Sequence, residues 1–173
     1  MNNNAYTVAL SSLKTAKMAG KKAPHKPILL LSIIDLIERG VIKSNHIELS
    51  DALVDTFKRN WVRYVGDSVL FRPVIGTPFW HLQNEPFWKL ISHDGTVITK
   101  GNMPTAKYSV GSIRANIDYA EIDTALFTQM QNEEARAQLR VLLINTYLDN
   151  THLQKSEASQ LILSIGTLFL LVA

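Results

Sequence analysis

Ala23-Pro24-His25-Lys26-Pro27-Ile28-Leu29-Leu30-Leu31-Ser32-Ile33-Ile34-Asp35-Leu36 is the stretch from which the fold is read. From Ile28 to Ile34 every residue except Ser32 is a large aliphatic, so no polar face exists before Asp35. A helix that is apolar on all sides belongs at the centre of a core. Pro27 suits its first turn, where a missing N–H costs nothing. Gly40 stops it, predicting a helix over Ile28–Arg39. Neighbouring elements must wrap this rod.

Upstream, Tyr6, Ala9, Leu10, Leu13 and Ala16 recur at helical spacing, predicting a helix over Ala5–Ala19 closed by Gly20. Downstream, Ser50 is a good N-cap for Asp51–Tyr64, whose Leu53, Val54, Phe57, Trp61 and Tyr64 share one face. Val41-Ile42 and Ile47-Glu48-Leu49 read as short strands, and Val69–Thr99 as β-rich. In that region Pro78-Phe79-Trp80-His81-Leu82 is echoed by Pro86-Phe87-Trp88-Lys89-Leu90, which reads as a pair of strands. Alternation then sends Phe79 and His81 to one face, Trp80 and Leu82 to the other. Asp94-Gly95 supplies a hairpin turn before Thr96–Thr99. Helices are expected over Ser109–Ile117 and Glu133–Leu148, and a further one in the tail Glu157–Ala173. The fold class is α+β: a single domain, with N-terminal and C-terminal helices around a small antiparallel sheet.

The 173 residues, 46% hydrophobic and 19% charged, suffice for one real core and exclude a disordered tail. There is no cysteine, which excludes disulfide scaffolds, thiol nucleophiles and cysteine-ligated metal sites. The five histidines show no metal-ligand spacing, and no P-loop, Gly-x-Gly-x-x-Gly or Gly-x-Ser-x-Gly motif occurs. No catalytic residue, metal or cofactor is therefore expected. Leu161–Ala173 is thirteen residues and is interrupted by polar ones, against the roughly twenty that cross a bilayer. A cytoplasmic protein without a membrane partner is the expectation.

Charge is uneven. Met1–Ala120 carries fifteen Lys/Arg against nine Asp/Glu, whereas Glu121–Ala173 carries three against six. Lys14, Lys17, Lys21, Lys22 and Lys26 all precede the first acid, Asp35. Such a face fits a polyanion, or is simply solvated lysine. The Pro24-His25-Lys26-Pro27 loop holds His25 and Lys26 stiffly before a helix N-terminus, where the dipole and unpaired amides favour an anion. Lys26, an imidazole N–H and main-chain N–H groups are the expected phosphate ligands.

The Ala23–Leu31 stretch with Asp35-Leu36, then Pro78–Leu82, then Arg140–Tyr147, in that order, resembles the sulfur-binding domain of HNH-type, modification-dependent (type IV) restriction endonucleases. Members bind duplex DNA in which sulfur replaces a non-bridging backbone oxygen, and a separate HNH module cuts nearby. The resemblance implies that His25 and Lys26, with Lys22, meet the modified backbone. It implies a sulfur pocket at Thr77, Pro78, Phe79 and His81, and a further DNA contact at Lys100, Gly101 and Asn102. Thr77 stands where the family often has tyrosine, and His81 where a small apolar residue is usual. The residues after Leu148 are too few for an HNH module, so the expectation is a recognition domain over 1–150 and an apolar tail over 151–173. The expected partner is phosphorothioate double-stranded DNA, with the HNH nuclease as a separate module or subunit. The alternative is a protein-interaction or regulatory subunit with a generic basic face.

Overall fold

Eleven of the fourteen residues of one helix, His25–Glu38, are buried, and the rest of the molecule is arranged around it. The computed structural model describes residues 3–99 and 108–148. In chain order these form α1 (Asn3–Ser11), a hairpin of β1 (Lys17–Met18) and β2 (Lys21–Lys22), α2 (His25–Glu38), β3 (His46–Ile47) and α3 (Asp51–Tyr64). Then come α4 (Gly76–His81), a 3-10 turn at Leu82–Asn84, β4 (Trp88–Ile91) and β5 (Val97–Ile98). The last elements are α5 (Val110–Asn116), β6 (Tyr119–Ile122), α6 (Thr124–Gln131) and α7 (Glu133–Tyr147). The class is α+β.

The larger sheet has the order β3-β6-β4-β5, antiparallel throughout. Its inner face puts Trp88, Leu90, Ala120 and Ile122 into the core with Ile28–Ile34 of α2. Burial of α2 thus follows from its composition: a rod without a polar face is covered by α3, α4, α6 and α7.

Polar side chains set how α2 is held. Asn60 of α3 donates to Asp35 Oδ2 at 2.7 Å and to Ser32 Oγ at 3.2 Å. Arg140 of α7 pairs with Asp35 and reaches Glu38 at 2.7 Å. Tyr147, at the far end of α7, ties down α1: its hydroxyl donates to the Leu10 carbonyl at 2.9 Å and accepts from Leu13 N–H at 2.7 Å. Buried groups paired in this way cost little to bury and much to orphan.

Four sequence expectations are corrected. The first helix ends at Ser11, and Lys17–Lys22 turns back as a hairpin through Ala19 (φ 49°) and Gly20 (φ 78°). Two consecutive left-handed residues make the tight turn that matches strand twist, and only glycine adopts one freely. α2 begins at His25, so Pro27 is its third residue, still within the turn that needs no amide acceptor. Val41-Ile42 is not a strand; the short strand here is His46–Ile47. Pro78–Leu82 is not a strand either: α4 and the 3-10 turn replace it, and only the second copy, at Trp88–Ile91, is extended. Phe79, Trp80 and Leu82 are all buried, so alternation does not describe them. The tail expected to be helical, with the whole of 151–173, lies outside the described residues.

Candidate nucleic-acid interface

Ser50, Ser109, Asp123 and Asn132 cap α3, α5, α6 and α7 with their side chains. α2 and α4 have no side-chain cap. They are the two helices that open in the stretches singled out from the sequence. Pro24 stands at the N-cap of α2 and has no side-chain acceptor to offer. First-turn amides have no acceptor inside their own helix, and the dipole there favours negative charge.

His25 begins α2, and its ring is fixed on three sides. Trp61 packs against it at 4.8 Å between centroids, and Phe71 meets it edge-on at 5.9 Å. Nε2 lies 2.8 Å from the Arg72 carbonyl oxygen, so Nε2 carries the hydrogen and donates it. Burial holds the imidazole below the usual histidine range, only partly offset by that hydrogen bond. At neutral pH the ring is neutral and its one N–H is spent on Arg72. The expected N–H contact to phosphate is therefore not available from the neutral ring. Its other nitrogen is an acceptor.

Lys26, expected on a basic face, is turned inward. It is 5% exposed, and its Nζ sits 2.5 Å from Glu85 Oε1, an equally buried carboxylate. Glu85 also accepts the Lys14 N–H at 3.0 Å. Exposed positive charge comes instead from the hairpin, where Lys17 lies across from Lys22 and Met18 across from Lys21, all four exposed. Lys22 lies 5.0 Å over the Tyr147 ring. The signal for the hairpin was local: a small residue and a glycine between two pairs of strand residues.

Arg72 touches His25, and Gly76 follows four residues on, so α4 starts within ~14 Å of Arg72 by chain reach. On α4, Thr77 and His81 are half-buried and Pro78 is buried. Phe79, expected in the pocket, is fully buried and packs edge-on against Trp88 at 5.4 Å. Tyr108 covers α4: its ring is 5.0 Å from that of His81 and 6.4 Å from that of Trp80. A methyl group at Gly76 would stand 1.9 Å from the Tyr108 carbonyl oxygen. Only glycine allows that approach. The sequence reading missed both Gly76 and Tyr108, because they meet only through the fold. Lys100, Gly101 and Asn102 lie outside the described residues.

A cleft of about 510 Å³ opens beside the α2 N-terminus, between Lys21, Lys22 and Pro24, the Asp67–Phe71 loop, and Thr146–Leu148. It takes in Lys22 but none of Thr77, Pro78, Phe79 or His81. Among the described residues no group of three or more His, Asp or Glu could hold a metal ion, and no helix is long and apolar enough to cross a membrane.

Three solved structures share the fold. The sulfur-binding domain of SprMcrA complexed with phosphorothioated DNA is 20% identical, with 90% of this chain and 93% of that one covered and a TM-score of 0.62. The sulfur-binding domain of ScoMcrA, also complexed with phosphorothioated DNA, is 19% identical over 82% of this chain and 86% of that one, at 0.55. A longer ScoMcrA piece that includes its SRA domain is 21% identical, covering 80% of this chain and 41% of that one, at 0.56. No curated protein matches. The family model for the ScoMcrA-like DNA sulfur-binding domain matches residues 4–161. The chain belongs to the ScoMcrA-like family of DNA sulfur-binding domains.

Proposed function

We propose that this chain binds double-stranded DNA carrying a phosphorothioate, and that it is a recognition module whose associated cutting belongs to a separate HNH nuclease. The observation that carries the reading is the neutral, wedged imidazole of His25 at the N-terminus of α2, a helix end without a side-chain cap, on the helix against which α4 with Thr77, Pro78 and His81 is packed. Sulfur is larger and more polarizable than oxygen and accepts hydrogen bonds more weakly. A site of ring edges and a proline ring gains dispersion from it and loses few hydrogen bonds. A phosphate oxygen in the same place would shed water without replacement, at about 1–3 kcal/mol. That is roughly ten- to hundredfold discrimination.

Affinity then comes from other groups. The hairpin lysines Lys17, Lys21 and Lys22 supply salt-dependent attraction to any duplex. The family resemblance assigns Lys100, Gly101 and Asn102, which lie outside the described residues, a further backbone contact.

The test is binding to three duplexes at two salt concentrations: each phosphorothioate diastereomer, and plain phosphate. Tenfold or tighter binding to one sulfur-bearing duplex is expected, by a factor that salt leaves unchanged. Equal affinity for all three would sink the proposal.

A further inference from the structure

Thr56 is 2% exposed, yet two arginines converge on its hydroxyl. Arg39 Nη2 donates to Oγ1 at 3.1 Å and Arg59 Nη2 at 2.8 Å. Two bonds meeting at one oxygen hold these cationic nitrogens within ~6 Å of each other. Like charges this close repel unless an anion beside them offsets the repulsion.

No carboxylate among the described residues answers them. Asp35 and Glu38, the acids nearest along α2, are engaged by Arg140, with Arg136 at 3.6 Å from Glu38 and Asn60 on Asp35. Asp55 sits one turn before Arg59 on the exposed side of α3 but forms an ion pair with neither arginine. Four arginines, Arg39, Arg59, Arg136 and Arg140, thus stand over two carboxylates at the C-terminal end of α2. Arg39 is oriented further by its Nε donating to the Asp35 carbonyl at 3.2 Å. Paired planar guanidiniums fixed in place, with outward donors left over, match the oxygens of a phosphate.

The outer side of α3 continues the positive surface. Lys58 and Arg63 flank Val62, which is 72% exposed, while Trp61 on the same helix carries His25. His25 begins α2 and Arg39 follows its end, so the two sites lie ~20 Å apart along the helix.

We infer that Arg39 and Arg59 form a second clamp, on an unmodified backbone phosphate ~20 Å from the sulfur. The inference rests on the proposed DNA reading and adds to it a site that carries affinity without selectivity.

The experiment compares wild type with Arg59→Gln and Arg59→Lys on plain and phosphorothioate duplexes across a salt series, with melting temperatures as the folding check. The clamp requires Arg59→Gln to weaken binding to both duplexes equally, about five- to tenfold near 0.1 M salt, and to make the salt slope shallower by ~0.9. Arg59→Lys keeps the charge but not the fork, and falls between. Arg39→Gln, which also removes a contact to α2, gives the same slope change without adding to it in the double variant. A series of duplexes shortened from either end should cost wild type, but not Arg59→Gln, its advantage once one arm no longer reaches ~20 Å from the sulfur. An unchanged affinity and slope in Arg59→Gln, with the sulfur preference of wild type intact, overturns the clamp alone. Loss of affinity in Arg59→Gln when wild type shows no sulfur preference overturns the sulfur reading and leaves the clamp. A wild-type protein that binds no duplex overturns both.

Discussion

Changing Glu85 to alanine leaves the Lys26 ammonium buried without a partner. The pair is 2.5 Å apart, with side chains 6% and 4% exposed, and the same Glu85 oxygen accepts the Lys14 amide at 3.0 Å. Removing one partner of a buried ion pair costs about 3–5 kcal/mol, because the other charge stays desolvated. The orphaned Lys14 amide falls within that range once water enters the space. In urea, at a slope near 2 kcal/mol per molar, the midpoint should drop by about 2 M. A repair variant separates charge burial from packing. Lys26→Met with Glu85→Gln keeps the volume of both side chains and an acceptor for Lys14, and removes both charges. It should recover to within about 1 kcal/mol of wild type. The same protein then tests the role of Lys26 in binding. A buried strut predicts an unchanged salt slope toward plain duplex, whereas a phosphate contact predicts a slope shallower by ~0.9. A loss under about 1 kcal/mol in Glu85→Ala would refute the reasoning, since it would mean that water reaches Lys26 and screens it.

Gly76→Ala forces the Tyr108 backbone off α4, since the new methyl would lie 1.9 Å from its carbonyl oxygen. A destabilisation of about 1–3 kcal/mol and altered Trp80 fluorescence are expected; unchanged emission and stability would mean the two segments do not touch. His25 is held below the usual histidine range by burial, so an unfolded chain takes up its proton near pH 6.5 before the folded one does. Stability therefore falls as pH drops through 6.5 toward the folded value and is complete above it. His25→Gln should flatten that decline between pH 7.5 and 5.5, read as the difference in urea midpoints; an equal decline in both proteins would assign the titration elsewhere.

Much of the fold was local and therefore legible. α2 has no polar face before Asp35, and that alone puts it in the centre. Ser50 sits where α3 needs an acceptor, and its Oγ takes the Leu53 amide at 3.3 Å. Asp94-Gly95 turns β4 into β5. What failed was the six-residue α4, too short to display a helical period, whose aromatics are buried on more than one side and so mimic strand alternation. β6 was also missed, because its place between β3 and β4 is set by partners far along the chain.

For the candidate site, the sequence determined which residues could matter: a histidine and lysines beside a helix start, and a proline–aromatic segment. It did not determine which of them face a ligand. Lys22 and Lys26 are four residues apart in one basic loop, yet Lys22 is exposed and Lys26 is neutralised by Glu85, which arrives from 59 positions away. The charge state of His25 depends in the same way on Trp61 and on a carbonyl contributed by Arg72. Composition and local spacing dictate helices, caps and turns, because those depend on neighbours within a few residues. Burial and pairing, which decide whether a lysine is a strut or a hook, depend on what the rest of the chain brings alongside, and only the tertiary structure decides that.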